Sequence, residues 1–232
     1  MTESTILITG ANRGIGLELC EQFAVDGWRV LACCRNPADA GDLQALSQGQ
    51  ASIEVFALDV TDHQQVAALA GQLAGRPIDI LLNNAGIYGP RGVDFGDVEA
   101  ESWREVLEVN TIAPMMLVQA LVDQVAASER KLVAMISSKV GSIADNGSGG
   151  GYLYRSSKTA LNQVVKSLSI DLAGRGIAVI SLHPGWVRTD MGGPNGEIST
   201  AESVAGLKAI LQAAGLDQSG RFLEYNGDQI PW

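Results

Sequence analysis

The stretch from Ser4 to Gly16, STILITGANRGIG, constrains this chain more than any other. Ile6, Leu7 and Ile8 form a short apolar run ending at Thr9-Gly10. An amphipathic helix opens directly after it, with apolar positions at Ile15, Leu19, Phe23 and Ala24. A buried strand that turns through glycines into a helix makes a phosphate site. Gly10 allows the tight turn, Gly14 lets backbone approach a ligand, and Gly16 lets the helix pack close to the strand. The free N–H groups and positive dipole end of the helix then face an anion. The spacing is G-x-x-x-G-x-G, not the general G-x-G-x-x-G fingerprint, and a Walker A loop is excluded because no Gly-Lys-Ser/Thr follows.

The rest of the chain alternates strands with helices. Further buried strands are predicted at Trp28–Cys34, Ile53–Leu58, Ile78–Leu82, Leu132–Ile136, Ile177–Leu182 and Arg221–Tyr225. Helices are expected from about Pro37, from a Thr61–Gln64 capping box to about Ala74, over Trp103–Val125, over Tyr152–Leu172 and over Ala201–Ala214. Pro114 should kink the third of these near Asn110. This alternation specifies α/β architecture: a single Rossmann-type domain over residues 1–232, with a doubly wound parallel sheet of about seven strands covered by helices on both faces. An aliphatic composition suits such a sheet, with 46% hydrophobic but only 5% aromatic residues. Ligands of these sheets sit beyond the carboxyl ends of the strands. That rule gathers Thr9–Gly16, Cys34-Arg35, Asp59-Val60, Asn83–Gly86, Ser137-Ser138 and His183–Thr189 along one edge.

A formal net charge of −10 argues against binding to nucleic acid or an anionic membrane, both of which need a basic surface. The N-terminal residues lack the basic start of a signal peptide, and no run approaches the ~18 apolar residues of a membrane span. Cys20, Cys33 and Cys34 have no Cys-x-x-Cys spacing, which fits a reduced, cytoplasmic protein, and with only two histidines no metal site is expected.

Tyr154 and Lys158 stand four apart on a helix and so share a face. A lysine ammonium beside a phenol favours the phenolate and lowers its pKa from about 10, which equips the phenol for general acid–base work. Ser138 ends the fifth strand and is placed to donate to a substrate oxygen. His183, before Pro184, reads as a structural hydrogen-bonding residue. Trp186 and Met191 either floor a substrate pocket or pack in the core.

TGANRGIG, NNAG after the fourth strand, Asn110, Ser138, YRSSK and HPGWVRT occur in this order on these elements. The set resembles the short-chain dehydrogenase/reductase family over essentially the whole chain. GGGYLYRSSK and FLEYNGDQIPW are most similar to the C-factor and sniffer-like carbonyl reductases. The resemblance implies that Tyr154 protonates a carbonyl oxygen as hydride arrives and that Ser138 holds that oxygen. Lys158 would bind the nicotinamide ribose and tune Tyr154, and Asn110 would hold a water that connects Lys158 to solvent. Gly10, Asn12, Arg13, Gly14, Ile15 and Gly16 would cradle the cofactor. Asn84, Ala85 and Gly86 would support the sheet and line the cofactor, and Asp59 and Val60 would contact its adenine. Pro184, Gly185, Val187 and Thr189 would fix the carboxamide end of the nicotinamide.

The second strand ends at Cys34-Arg35 with no acid between Leu31 and Asn36, where an NAD enzyme carries a carboxylate for the ribose 2′-OH. Arg35 and Arg13 suit a 2′-phosphate instead, so the expected cofactor is NADP(H). Ser138 and Tyr154 are sixteen residues apart, about three more than the commonest spacing in the family, and the excess falls in DNGSGGG. This leaves Ser137 as an alternate to Ser138, although strand alternation points it away. The expected activity is reduction of small aldehydes or ketones, in a homodimer or homotetramer. The alternatives are an NAD-linked alcohol dehydrogenase and a nucleotide-binding signalling protein of low turnover.

Overall fold

The computed structural model describes residues 4–232. Its strands are β1 (Thr5–Thr9), β2 (Arg29–Cys34), β3 (Ile53–Ala57), β4 (Ile80–Asn83), β5 (Leu132–Ile136), β6 (Ala178–His183) and β7 (Phe222–Glu224). All seven pair in parallel in one sheet, in the order β3-β2-β1-β4-β5-β6-β7. The chain winds outward from β1 to β2 and β3, then returns to lay β4 on the other side of β1. The crevice between β1 and β4 is therefore the switch point where such sheets bind ligands.

The longer helices are α1 (Gly14–Val25), α2 (Gly41–Gly49), α3 (His63–Gln72), α4 (Ala100–Leu107), α5 (Ala113–Ala126), α6 (Tyr152–Asp171) and α7 (Thr200–Ala213). Strand alternation divides them between two layers. Ile6 and Ile8 pack with Phe23 of α1, Leu43 of α2 and Leu207 of α7. Leu7, between them, packs on the opposite face with Leu69 of α3, Leu121 of α5 and Leu161 of α6. Both faces of the sheet are thereby covered, as its near-continuous apolar strands require.

Local structure differs in detail from the sequence expectations at three places. The expected Thr61–Gln64 capping box is replaced by Asp62, whose carboxylate accepts from the N–H groups of Gln64 and Gln65 and caps α3, while the Thr61 hydroxyl turns back to Asp59 at 2.7 Å. A carboxylate with two amide donors is the stronger cap. The helix expected from Pro37 begins as one tight turn, Pro37–Asp39, before α2 opens at Gly41. Pro114 lies in the first turn of α5, directly after the irregularity expected near Asn110. That irregularity is a single π-helical turn, Glu108–Ile112, that joins α4 to α5. The joined helix Ala100–Ala126 is long and apolar enough to cross a membrane by length and composition alone. Leu117, Leu121 and Val125 of this helix are buried within the fold.

Candidate active site

The first N–H groups of α1 face the crevice without a competitor. Arg13 precedes the helix, no side chain caps it, and no acid lies in its first turn. These orphan donors, at the positive end of the helix dipole, suit a pyrophosphate. The space is built from glycines. A Cβ on Gly16 would stand 2.1 Å from the Gly10 carbonyl oxygen, and one on Gly10 would stand 2.9 Å from the Ala85 Cα. Gly14, at φ +55°, faces the Thr189 methyl at 3.4 Å from its ideal Cβ position. β4 is stitched to this turn: Thr9 Oγ1 accepts from the N–H groups of Asn84 and Ala85, both at 3.0 Å, and Asn84 Nδ2 donates to the Thr9 and Gly10 carbonyls. Asn12 and Ile15 lie half-buried on the same turn.

The remaining predicted cofactor residues lie at the same edge. Arg35 is exposed just past β2 and has no carboxylate partner among the described residues. Arg13 is exposed and paired to Asp190 at 2.9 Å. Asp59 follows β3 with Oδ1 bonded to Thr61, and Val60 beside it is buried. Past β6, the Pro184 carbonyl accepts from Ser203 Oγ, Val187 bridges to Ile198, and Thr189 Oγ1 accepts from the Gly192 N–H. Gly185 is at φ +84°, and a Cβ there would meet Ile198 at 2.6 Å. The group of residues thus fits an extended anionic dinucleotide. No cluster of metal-ligating side chains occurs among the described residues.

The reactive groups converge where β5 meets α6. Ser138 is the serine near enough to the Tyr154 phenol to act on its pKa. Ser137 faces the other way and donates to Asn162 Oδ1 at 2.7 Å, so strand alternation decides between the two. Burial pushes the half-buried Tyr154 phenol up to about 12, the Ser138 side chain pulls against this, and Tyr88 adds to the rise. Burial lowers Lys158 to about 8. The expected lowering of Tyr154 by Lys158 does not appear in this arrangement. Lys158 Nζ donates to the Ile136 carbonyl at 2.9 Å and stands 5.7 Å from the centre of the Tyr154 ring.

Asn110, fully buried in the π turn, accepts from the Ile87 N–H and donates to the Ile87 carbonyl and Ser157 Oγ. Its amide braces the chain past NNAG. His183 is not the hydrogen-bonding residue expected at Nδ1, which is buried without a partner, and burial holds the ring neutral down to about 4. Trp186 and Met191 are exposed on the loop past β6, not packed in the core, and Trp186 Nε1 donates to the Gly192 carbonyl.

Sequence reasoning missed Tyr88, which stacks on Tyr154 with ring centres 4.8 Å apart. It also missed Arg91, whose guanidinium lies 5.0 Å from the Tyr88 ring centre and donates to the Met191 carbonyl. An aromatic residue two positions past NNAG was their only signal.

A family model described as short chain dehydrogenase matches residues 4–200. The chain belongs to the short chain dehydrogenase family. Over 165 residues, 71% of this chain and 99% of the relative, it is 38% identical to C-signal of Myxococcus xanthus. Among solved structures it is similar to the carbonyl reductase Sniffer of D. melanogaster, with 32% identity and a TM-score of 0.94, both chains covered in full. It is also similar to the NADPH-bound carbonyl reductase from chicken fatty liver, with 33% identity and a TM-score of 0.93, again over both complete chains.

The buried lysine sets a pH dependence. Lys158 at about 8, against an ordinary 10.5, means that the folded chain binds fewer protons than the unfolded chain between these values, so its contribution to stability rises with pH through that window. Urea unfolding of ligand-free wild type and Lys158→Met should show a stability difference that moves toward wild type by up to about 1.4 kcal/mol per pH unit from about pH 8 to 10.5. A difference that stays flat over this range would exclude the assignment.

Proposed function

We propose that this short chain dehydrogenase reduces small aldehydes and ketones with NADPH, and oxidises the alcohols in reverse, with Tyr154 as its proton donor. The convergence of Tyr154, Ser138 and Lys158 beside an uncapped helix N-terminus carries the reading. A protein that only bound nucleotide would have no use for a serine aimed at a phenol. The NADPH-bound carbonyl reductase among its structural relatives supports the same cofactor here, and so do Arg35 past the end of β2, where no acid stands, and Arg13 in the glycine turn before α1.

When bound, NADPH supplies the hydride that adds to the carbonyl carbon. Ser138 donates a hydrogen bond to the carbonyl oxygen and holds it beside the Tyr154 hydroxyl. Tyr154 gives its proton to that oxygen as negative charge gathers there, and its high pKa in the ligand-free state keeps the proton in place until then. Lys158 binds the ribose hydroxyls. Asn110 takes part in returning the proton through the remaining acceptor capacity of Oδ1, since both of its N–H donors are engaged. Gly10, Asn12, Gly14, Ile15 and Gly16 hold the pyrophosphate, Asp59 and Val60 the adenine, Asn84–Gly86 the ribose side, and Pro184–Thr189 the carboxamide.

A carbonyl panel followed by loss of NADPH absorbance tests the activity. Tyr154→Phe keeps the ring and should lower turnover by about 10² or more while NADPH affinity stays within a few-fold. Retained turnover would remove Tyr154 from the role. For the cofactor, Arg35→Asp should weaken NADPH by roughly 10- to 100-fold and NADH far less, because it removes a charge-assisted contact to the 2′-phosphate. Equal weakening of both would overturn the assignment. For assembly, the outer faces of the long helices keep Ile112 and Ile170 exposed at 43% and 65%, with Met115, Met116 and Val122 partly exposed beside them. Pairing through α5 and α6 into a homodimer or homotetramer covers these side chains. Light scattering at micromolar concentration should give a multiple of the chain mass, and a monomer mass would refute the pairing.

A further inference from the structure

After β7 the chain turns back and runs antiparallel to the strand it has just left. The Glu224 N–H donates to the Asp228 carbonyl and the Ile230 N–H to the Phe222 carbonyl, both at 2.8 Å, and Leu223 bridges to Gln229. Ile230 is buried, and the Trp232 ring stacks on the fully buried Phe222, with centres 5.5 Å apart and planes at 17°. This return brings Trp232 to the loop that follows Ser138. Its carbonyl oxygen accepts from the Ile143 N–H at 2.7 Å, the Ala144 N–H at 3.2 Å and Ser142 Oγ at 3.0 Å. Ser142 Oγ in turn accepts from the Asp145 N–H at 3.1 Å, which closes the loop on itself.

The loop has little else to order it. Ile143 is 73% exposed, and residues 144–151 are exposed as well, so almost no apolar burial offsets the entropy of fixing their backbone. The second half, Gly147–Gly151, is held mainly by Asn146 Oδ1 on the Gly149 N–H and by Arg155 on Ser148. Three donors meeting on one carbonyl, itself anchored by an aromatic stack, are the fixed point of the first half. That half begins four residues past Ser138, and the far end of the loop at Gly151 lines a cavity with Tyr88 and Tyr154.

We propose that the returning tail Asn226–Trp232 is a clasp that sets the loop Ser142–Asn146 at the substrate side of the site, and that Trp232 is a positioning residue for the carbonyl substrate. The inference rests on the reductase reading only for what the loop faces. The clasp itself is a matter of hydrogen bonds and packing. The tail lies past β7, at the opposite end of the sheet from β2 and Arg35, so it acts on the substrate and not on the adenosine half of the cofactor.

Amide hydrogen exchange on the full chain tests the clasp directly. Trp232→Ala keeps the carbonyl but removes its anchor, and should speed exchange at Ile143 and Ala144 by about tenfold or more, leaving α6 unchanged. Trp232→Phe, which preserves stacking on Phe222, should restore protection. With 4-nitrobenzaldehyde as probe, Trp232→Ala should raise KM at least about fivefold, with kcat and the NADPH Kd within about twofold. Ser142→Ala removes one of the three donors without altering the tail, and should move exchange and KM the same way by a smaller factor if the tail variant folds poorly. Unchanged exchange at Ile143 and Ala144 would overturn the clasp. Faster exchange with an unaltered KM, or a collapse of NADPH affinity, would overturn the positioning role. If the wild type turns over no carbonyl at all, the reductase reading fails, while the exchange rates still decide the clasp.

Discussion

The close approach of α1 to β1 is the constraint on which the rest of the carboxyl edge depends. At Gly16 there is no room for a single additional carbon, because the Gly10 carbonyl and the Asn84 amide occupy the space. This lets the helix dipole and its orphan donors sit directly over the crevice at the switch point. Asn84 ties the same glycine turn to β4, so the turn, the helix and the NNAG segment are held as one rigid piece. Asn110 then carries that rigidity outward to Ile87, and through Ser157 to α6. The groups around Tyr154 are thus referenced to the glycine turn by a short chain of hydrogen bonds.

Around Tyr154 and Lys158, burial and charge oppose one another. Removing both groups from water drives the phenol up and the amine down, so each is pushed toward its neutral form. Ser138 opposes this at the phenol, and the Ile136 carbonyl takes the ammonium when it is charged. A neutral phenol that is hard to ionise is a poor base but a retained acid, the state that the proposed reduction needs before substrate arrives. Three buried hydroxyl and amide groups beside them, Ser137, Asn162 and Ser181, satisfy one another and fix the register of β5 against α6.

Much of this was legible in the sequence because it is written in backbone needs. The glycines at 10, 14 and 16, the alternation of Ile6, Leu7 and Ile8, and the four-residue spacing of Tyr154 and Lys158 each carry a geometric consequence that needs no tertiary context. What was not legible depends on partners distant along the chain. The Thr61 cap lost to Asp62 because a carboxylate in the same turn reaches two amides. The ammonium of Lys158 turned to a carbonyl of β5 that spacing along α6 cannot reveal. Tyr88 and Trp232 acquire meaning only because the fold brings them to Tyr154 and to the loop past Ser138. Arg13 and Arg35 stand at the expected edge, though Arg13 has found Asp190, 177 residues away in sequence.

The π turn at Glu108–Ile112 sets the phase of everything that follows it. Each residue of an α-helix advances about 100° around the axis, so one surplus residue in a wide turn offsets the inner face of α5 from that of α4 by roughly that angle. The upstream half is thereby free to lay Trp103 against α6, where its indole donates to Ser156, while the downstream half lays Leu117 and Leu121 on the sheet. A straight helix of the same sequence could not satisfy both. Asn110 is turned inward at the phase slip, so the same geometry that reconciles two packing surfaces also places an amide beside NNAG.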